Sequence, residues 1–294
     1  MLQEKGDRAV NIIIHAILIA AIVVTLYPLW FVIIASVSLP DAIGRGEVIL
    51  WPVGFTLEGY KTMLAESRIW IGYRNSIIYT VVGTMLRLFV QLPAAFAVSR
   101  KIRGRRWIMA FFVFTMYFSG GMIPSYLLIN ELGWLDNPIA VIVPGAMSVY
   151  NLIIARSFFT SNVPESLFDA AQIDGCGYLR FFLKIVLPLS GSIIAILVLF
   201  NMQGLWNMYL NAQMYLMNRD YHTLQQVVNS IVRSVTSSVT NEVIMNPDEM
   251  ELFQNRAQLL KYCVVIVSAA PMMVIYPLVQ KHFVKGVMVG AVKG

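Results

Sequence analysis

The chain is expected to fold as an all-α, polytopic bundle of six membrane helices, and three features carry that expectation. Of its 294 residues, 58% are hydrophobic and only 13% charged, against roughly 45–50% and about 25% in soluble domains. Mean hydropathy is +0.69. The apolar residues gather into runs of spanning length, about 20 residues each. A soluble protein with such a surface would aggregate.

Six runs qualify. The first, 12–37, is too long for a signal-peptide core and lacks a small-residue cleavage site, so it is expected to stay. Pro28 kinks it, which membrane helices tolerate. The others are 75–98, 107–129, 139–159, 191–211 and 260–280, the fourth interrupted by Pro144, Gly145 and Asn151.

Charge orients the bundle. Segments 1–11, 99–106, 160–190 and 281–294 hold 12 Lys and Arg and 5 Asp and Glu; segments 38–74, 130–138 and 212–259 hold 7 and 11. SRKIRGRR at 99–106 carries five basic residues in eight. The positive-inside bias places both termini in the cytoplasm of a multi-pass inner-membrane protein. The same basic segment suits lipid head groups. The outer segments 38–74 and 212–259 exceed ordinary loop length and are expected to carry short helices or outside contacts.

Several chemistries are excluded. Cys176 and Cys263 are far apart and give no disulfide framework. His15, His222 and His282 are scattered, with no HExxH and no metal-ligand spacing. No P-loop pattern occurs, no basic face with interleaved aromatics suits nucleic acid, and no catalytic set is found.

Residues 165–188, ESLFDAAQIDGCGYLRFFLKIVLP, interrupt the apolar pattern. Asn162 is placed to cap a helix with Glu165 at its third position and Pro164 in the first turn. Phe168, Ala171 and Gln172 fall on adjacent turns, and Asp169 projects from the middle. Gly175 ends the helix. A second helix, 178–186, closes at Leu187-Pro188. Ala170 and Ala171 permit close approach, while an exposed Leu167 and Phe168 would need a cover.

These residues resemble the EAA loop of ABC importer permeases, EAA-x3-G-x9-I-x-L-P. Here it reads Asp169-Ala170-Ala171, Gly175, then Ile185-Val186-Leu187-Pro188, with every spacing kept and Asp169 in place of the usual Glu. The resemblance implies a type I importer transmembrane domain, one domain over 1–294. Its first helix is 12–37, its permease core about 70–290 and its coupling loop 160–190. It further implies that Glu165, Phe168, Asp169, Ala170, Ala171, Asp174, Gly175, Leu187 and Pro188 form the loop that seats on a separate ATPase. This chain would then hold no cofactor, with ATP and Mg in that partner. Two ATPase subunits, a second homologous permease and an extracytoplasmic sugar-binding protein complete the expected assembly.

The stretch 118–159 resembles the carbohydrate, maltose-type branch. FSGGMIP and the tail FVKGVMVGAVKG are similar to permeases for oligosaccharides cut from plant or algal polysaccharides, the second membrane subunit of an alginate or uronate-oligosaccharide importer included. In the fifth span, Asn201, Gln203, Asn207 and Asn211 recur at helical spacing, with Trp206 and Tyr209 beside them. Polar groups at this depth face a wet cavity that a sugar could use, or join helices to one another. Arg87 sits halfway along the second span, where translocon scales put Arg at about 2.5–3.5 kcal/mol. It either contacts an anionic substrate or clamps helices. An ABC permease for another solute, or an ion-coupled transporter, is the alternative. The latter needs intramembrane acids, and the six spans contain none.

Overall fold

The computed structural model describes residues 5–240 and 247–291, and their regular elements are helical. Helices α1 (Lys5–Ser36), α2 (Pro40–Gly44), α3 (Glu58–Ala65) and α4 (Ser67–Ser99) come first. Then follow α5 (Arg105–Tyr117), α6 (Met122–Glu131), α7 (Ile139–Ile142), α8 (Val149–Asn162) and α9 (Glu165–Ile173). α10 (Tyr178–Phe181) passes through a π turn at Phe182–Val186 into α11 (Leu187–Leu189). α12 (Gly191–Trp206), α13 (Leu210–Tyr215), α14 (Leu224–Thr240) and α15 (Pro247–Ala291) complete the chain.

Three helices contain unbroken apolar stretches long enough to cross a bilayer, Val10–Ser36, Ser67–Ser99 and Gln254–Pro277. Two further candidates are bent pairs, α5 with α6 at 107° and the α10–α11 stretch with α12 at 83°. The third expected span, 107–129, breaks at Phe118–Gly121, where Gly121 takes φ 90° and ψ 179°. That backbone region is essentially glycine's own. The fourth, 139–159, is divided into α7 and α8, with Gly145 at φ +77° between them. The fifth stops at Trp206 rather than 211: the Asn207 N–H bonds the Gln203 carbonyl at 3.1 Å and the Met208 N–H closes a tighter turn onto the Leu205 carbonyl at 3.3 Å. The expected short helices in 38–74 are α2 and α3. Residues 1–4, 241–246 and 292–294 of the charge argument lie outside the described residues, as do the side chains of the basic tail.

The chain packs as two compact units. In Met1–Ile69 with Val228–Ala270, residues 10–30 of α1 are exposed all round, as an apolar span facing lipid or a neighbour would be. α1 runs unbroken through Pro28. Its C-terminal end is anchored. Phe31 meets Tyr262 edge-on at 5.7 Å, the Tyr60 hydroxyl donates to Ser36 Oγ at 2.7 Å, and Cys263 Sγ donates to the Ser36 carbonyl at 3.4 Å.

The other unit is Trp70–Val227 with Pro271–Gly294, and its axis is α4. Ser76, Thr80, Thr84 and Gln91 are buried at i, i+4 spacing with Arg87 on the same stripe. The N-terminal end of this stripe holds a loop. Asn75 Nδ2 donates to the carbonyls of Asp220 and His222, and Ser76 Oγ accepts from the Leu224 N–H at 2.8 Å. That loop leads into α14 through a capping box. Gln226 Oε1 accepts from the Thr223 N–H at 2.9 Å and Thr223 Oγ1 from the Gln226 N–H at 3.3 Å.

Deeper, three buried amides join three helices. Gln91 of α4, Asn151 of α8 and Asn201 of α12 are all under 6% exposed. Asn151 Nδ2 donates to Asn201 Oδ1 at 3.2 Å, Asn201 Nδ2 to Gln91 Oε1 at 3.2 Å, and Gln91 Nε2 to the Ala146 carbonyl at 3.0 Å. Polar side chains bonded between membrane helices are worth about 0.6–2 kcal/mol each.

Gln91→Leu strands two buried amides, so it is expected to cost about 1–3 kcal/mol. Thermal unfolding of the detergent-purified protein checks this; an unchanged midpoint would remove the network from the list of stabilising contacts. Gly72 abuts the backbone of Leu224, where an added Cβ would stand 3.0 Å from Leu224 Cα. Gly72→Val is therefore expected to lower the same midpoint, by about 1–3 kcal/mol of overpacking. Gly191→Ala, with no heavy atom within 4 Å, is the control that does not lower it.

Candidate functional site: a helix-turn-helix loop and a cavity

α9 begins at Glu165, with Pro164 as its extended N-cap and no side-chain cap. Asn162 is not that cap: it ends α8 and donates back to the Phe158 carbonyl at 3.0 Å. Pro164 presets an extended backbone, so the helix starts after it. At the other end Gly175 has φ +73°. The Cys176 N–H bonds the Ala171 carbonyl and the Gly175 N–H bonds the Gln172 carbonyl, both at 2.9 Å. These are the paired bonds of a Schellman cap. A side chain at that left-handed position costs about 1–2 kcal/mol. The second helix, expected to be regular, widens into the π turn before Pro188. Proline has no N–H for the Lys184 carbonyl, and its ring would crowd that oxygen.

The loop is fixed to the bundle by rings. Phe168 is 5% exposed. It stacks on Tyr178 at 4.3 Å and meets Phe181 edge-on at 5.0 Å. Phe96 of α4 lies 6.2 Å from Phe181 and 5.1 Å from Phe182. The cover expected for an exposed Phe168 thus comes from its own chain. Each such ring pair adds about 0.5–1.5 kcal/mol beyond area burial. Arg100 sits 4.9 Å over the Phe96 ring and donates to the Val163 carbonyl at 3.1 Å. Lys101 pairs with Glu165 at 2.5 Å, and that hydrogen bond raises the Lys101 pKa above its ordinary value. The basic 99–106 segment therefore clasps the loop, a role its charge alone did not reveal.

What remains is a bare outer face. Asp169, Ala170, Gln172 and Asp174 are exposed. Ile173 is 87% and Leu179 73% exposed. Of the residues expected to form a coupling surface, Phe168 and Ala171 point inward as anchors, and Glu165 is held by Lys101. Leu187 is half-buried and Pro188 exposed, just before the 83° turn into α12.

A cavity of about 600 Å³ opens between α4, α8 and α12. Arg87, Ser148, Tyr150, Gln203 and Asn207 give it polar walls, and Phe200 an apolar one. Of the fifth-span residues, Gln203 and Asn207 line it. Asn201 reaches its wall, but its amide is committed to the three-helix network. Trp206 is buried, 6.3 Å from the Tyr73 ring. Tyr209 and Asn211 lie beyond the end of α12 and outside the cavity wall, so the expected stripe through 211 is not one helical face. The structure also supplies Ser148 and Tyr150, which the sequence reading missed. The polar stripe on α4 was readable as Ser76, Thr80, Thr84, Arg87 and Gln91, at i+4 and i+3 steps.

Residues 69–289 match the family model of the binding-protein-dependent transport system inner membrane component. A polygalacturonan/rhamnogalacturonan transport system permease protein of Bacillus subtilis is 36% identical over 98% of this chain and 99% of its own. Protein LplC of the same organism is 34% identical over 92% and 90%. Among solved structures, a chain from a bacterial ABC transporter involved in the import of the acidic polysaccharide alginate superposes with a TM-score of 0.84. It is 29% identical, and the match covers 96% of this chain and 99% of that one. The bare face of the 165–188 loop, the helical bundle and these matches agree, and the chain belongs to the binding-protein-dependent inner membrane components, the pore-forming permease subunits of ABC importers.

Proposed function

We propose that this chain is one half of a heterodimeric pore that imports oligosaccharides, uronate-containing fragments among them. A second, homologous permease forms the other half. Two ATPase subunits, which bind ATP and Mg, dock on the cytoplasmic face, and an extracytoplasmic binding protein delivers the sugar. Both termini are cytoplasmic, by the charge distribution. The observation that carries this reading is the 165–188 loop. Its inner side is packed onto α4, while its outer side offers Asp169 and Asp174 beside exposed Ile173 and Leu179. A face like this calls for a partner with a basic group and an apolar groove.

ATP binding draws the two ATPases together, and the loop moves with them. Phe168, Phe181 and Phe96 pass that displacement to α4, whose Arg87 lines the cavity. Close-packed rings neither compress nor slip, so the bundle rocks between inward and outward openings as rigid bodies. No bond is made or broken in this chain. The polygalacturonan/rhamnogalacturonan permease and the transporter involved in alginate import support the cargo class.

Two substitutions test the docking role. Gly175→Pro demands a φ near −65° where the chain has +73°. Asp169→Lys reverses a charge on the bare face. Both are expected to abolish ATP-driven uptake in proteoliposomes holding the full complex, while immunoblots show normal amounts in the membrane. Full uptake in both would end the docking assignment. In the wild-type complex, oligosaccharides are expected to stimulate ATP hydrolysis; a response to another solute class alone would overturn the cargo.

A further inference from the structure

Among the described residues, the guanidinium of Arg87 has no counter-charge. Its Nε is buried without a hydrogen-bond partner, and among the described residues no carboxylate lies within ion-pair distance of it. Its two terminal nitrogens lie against glycines. Nη2 is 3.6 Å from where a Cβ on Gly145 would stand, and Nη1 3.8 Å from one on Gly204. A methyl group at either position would make only ordinary van der Waals contact with the fork, while a longer side chain would cover it. The hydroxyls on the same α4 stripe are not its partners either, since Thr80 Oγ1 and Thr84 Oγ1 are buried without any. A structural clamp should be hydrogen-bonded to what it clamps, as the neighbouring amides of Gln91, Asn151 and Asn201 are.

The rest of the cavity supplies what a sugar ring needs. Gln203 and Asn207 offer amides, Ser148 a hydroxyl. Tyr150 and Phe200, ring centroids 6.4 Å apart, offer flat apolar faces. The volume, about 600 Å³, falls in the ordinary range for small-molecule sites, roughly 300–1,000 Å³. From this we infer that Arg87 is the carboxylate receptor of the translocation path: it takes the carboxylate of an acidic sugar residue in a bidentate pair as the chain passes. The inference rests on the oligosaccharide reading above and adds that the permease itself selects for negative charge. A planar, permanently charged fork matches a carboxylate and has little use for a neutral hydroxyl.

The test uses the reconstituted complex with its binding protein, a trigalacturonate and its fully methyl-esterified form. The binding protein has its own preference, but that preference does not change when only Arg87 does. The informative quantity is therefore the acid-to-ester ratio of uptake, compared between variants. Wild type is expected to favour the acid, and Arg87→Gln to reduce the ratio roughly tenfold to a hundredfold, the usual worth of a charge-assisted hydrogen bond. Arg87→Lys keeps the charge without the fork and should fall between them.

Should Arg87→Gln fail to assemble, Gly204→Asp decides. It leaves Arg87 in place and sets a carboxylate beside Nη1, occupying the fork, so the ratio should fall as well. A ratio unchanged in whichever variant assembles, or equal loss on both sugars, overturns the inference; equal loss is what an ion pair to a neighbouring subunit would give. Equal wild-type uptake of acid and ester also overturns it, yet leaves an oligosaccharide permease. A wild-type complex indifferent to every oligosaccharide removes the underlying reading itself.

Discussion

The contact between Phe168 and Phe181, and through it Phe96, is the constraint on which the rest depends. On the proposed coupling role, work from the separate ATPase enters through this joint, and a joint of flexible polar side chains would dissipate it. Rings packed at interior density have no free volume to give. The surrounding contacts set the angle of the joint. Gly175 turns the chain back so that Tyr178 can stack on Phe168, and Arg100 bridges the end of α4 to the Val163 carbonyl where the loop begins. The exposed Lys101–Glu165 pair adds orientation more than stability, because water screens it.

Polar groups inside the unit divide by whether they are satisfied. The amides of Gln91, Asn151 and Asn201 answer one another, and their chemistry is spent on holding α4, α8 and α12 together. Gln203, Asn207 and Arg87 stand in the same neighbourhood with polar atoms turned to the cavity. This resolves the two readings that polar residues in the fifth span allowed: Asn201 joins helices, while Gln203 and Asn207 face the space. It also explains why Arg87 can be kept at such depth. Arg87 borders an open cavity rather than packed interior, the setting in which ionisable residues at membrane depth are found.

The 165–188 loop was legible because its determinants are local. A helix, a glycine stop and a closing Leu-Pro occupy consecutive residues, and Gly175 does adopt the left-handed backbone its position required. The membrane helices were legible in number of apolar runs but not in continuity. Hydropathy sums over a window and passes across Gly120-Gly121 and Pro144-Gly145, where the backbone turns. The helical stripe from Asn201 to Asn211 failed for the same reason, since spacing assumes a helix that in fact ends at Trp206. The Thr223–Gln226 capping box was written in the sequence and overlooked within a polar stretch. No sequence pattern could have placed Gly145 and Gly204 against Arg87, because that proximity comes from the packing of separate helices.

The two candidate sites are linked by a single element. Phe96, which receives the loop, and Arg87, which faces the cavity, both belong to α4, about 13 Å apart along its axis at 1.5 Å per residue. Gln91 lies between them and ties α4 to α8 and α12, the other two walls of the cavity. A displacement entering at Phe96 therefore cannot tilt α4 alone without breaking buried amide bonds. It carries all three walls together or not at all. Pro93 sits between Phe96 and Gln91 and leaves the Phe89 carbonyl without its helical donor, so α4 is softest where the inner end meets the clamped segment. A helix gripped at one end by rings and clamped in its middle by amides therefore moves the three cavity walls as one body, with any bending confined to the stretch between Phe96 and Gln91.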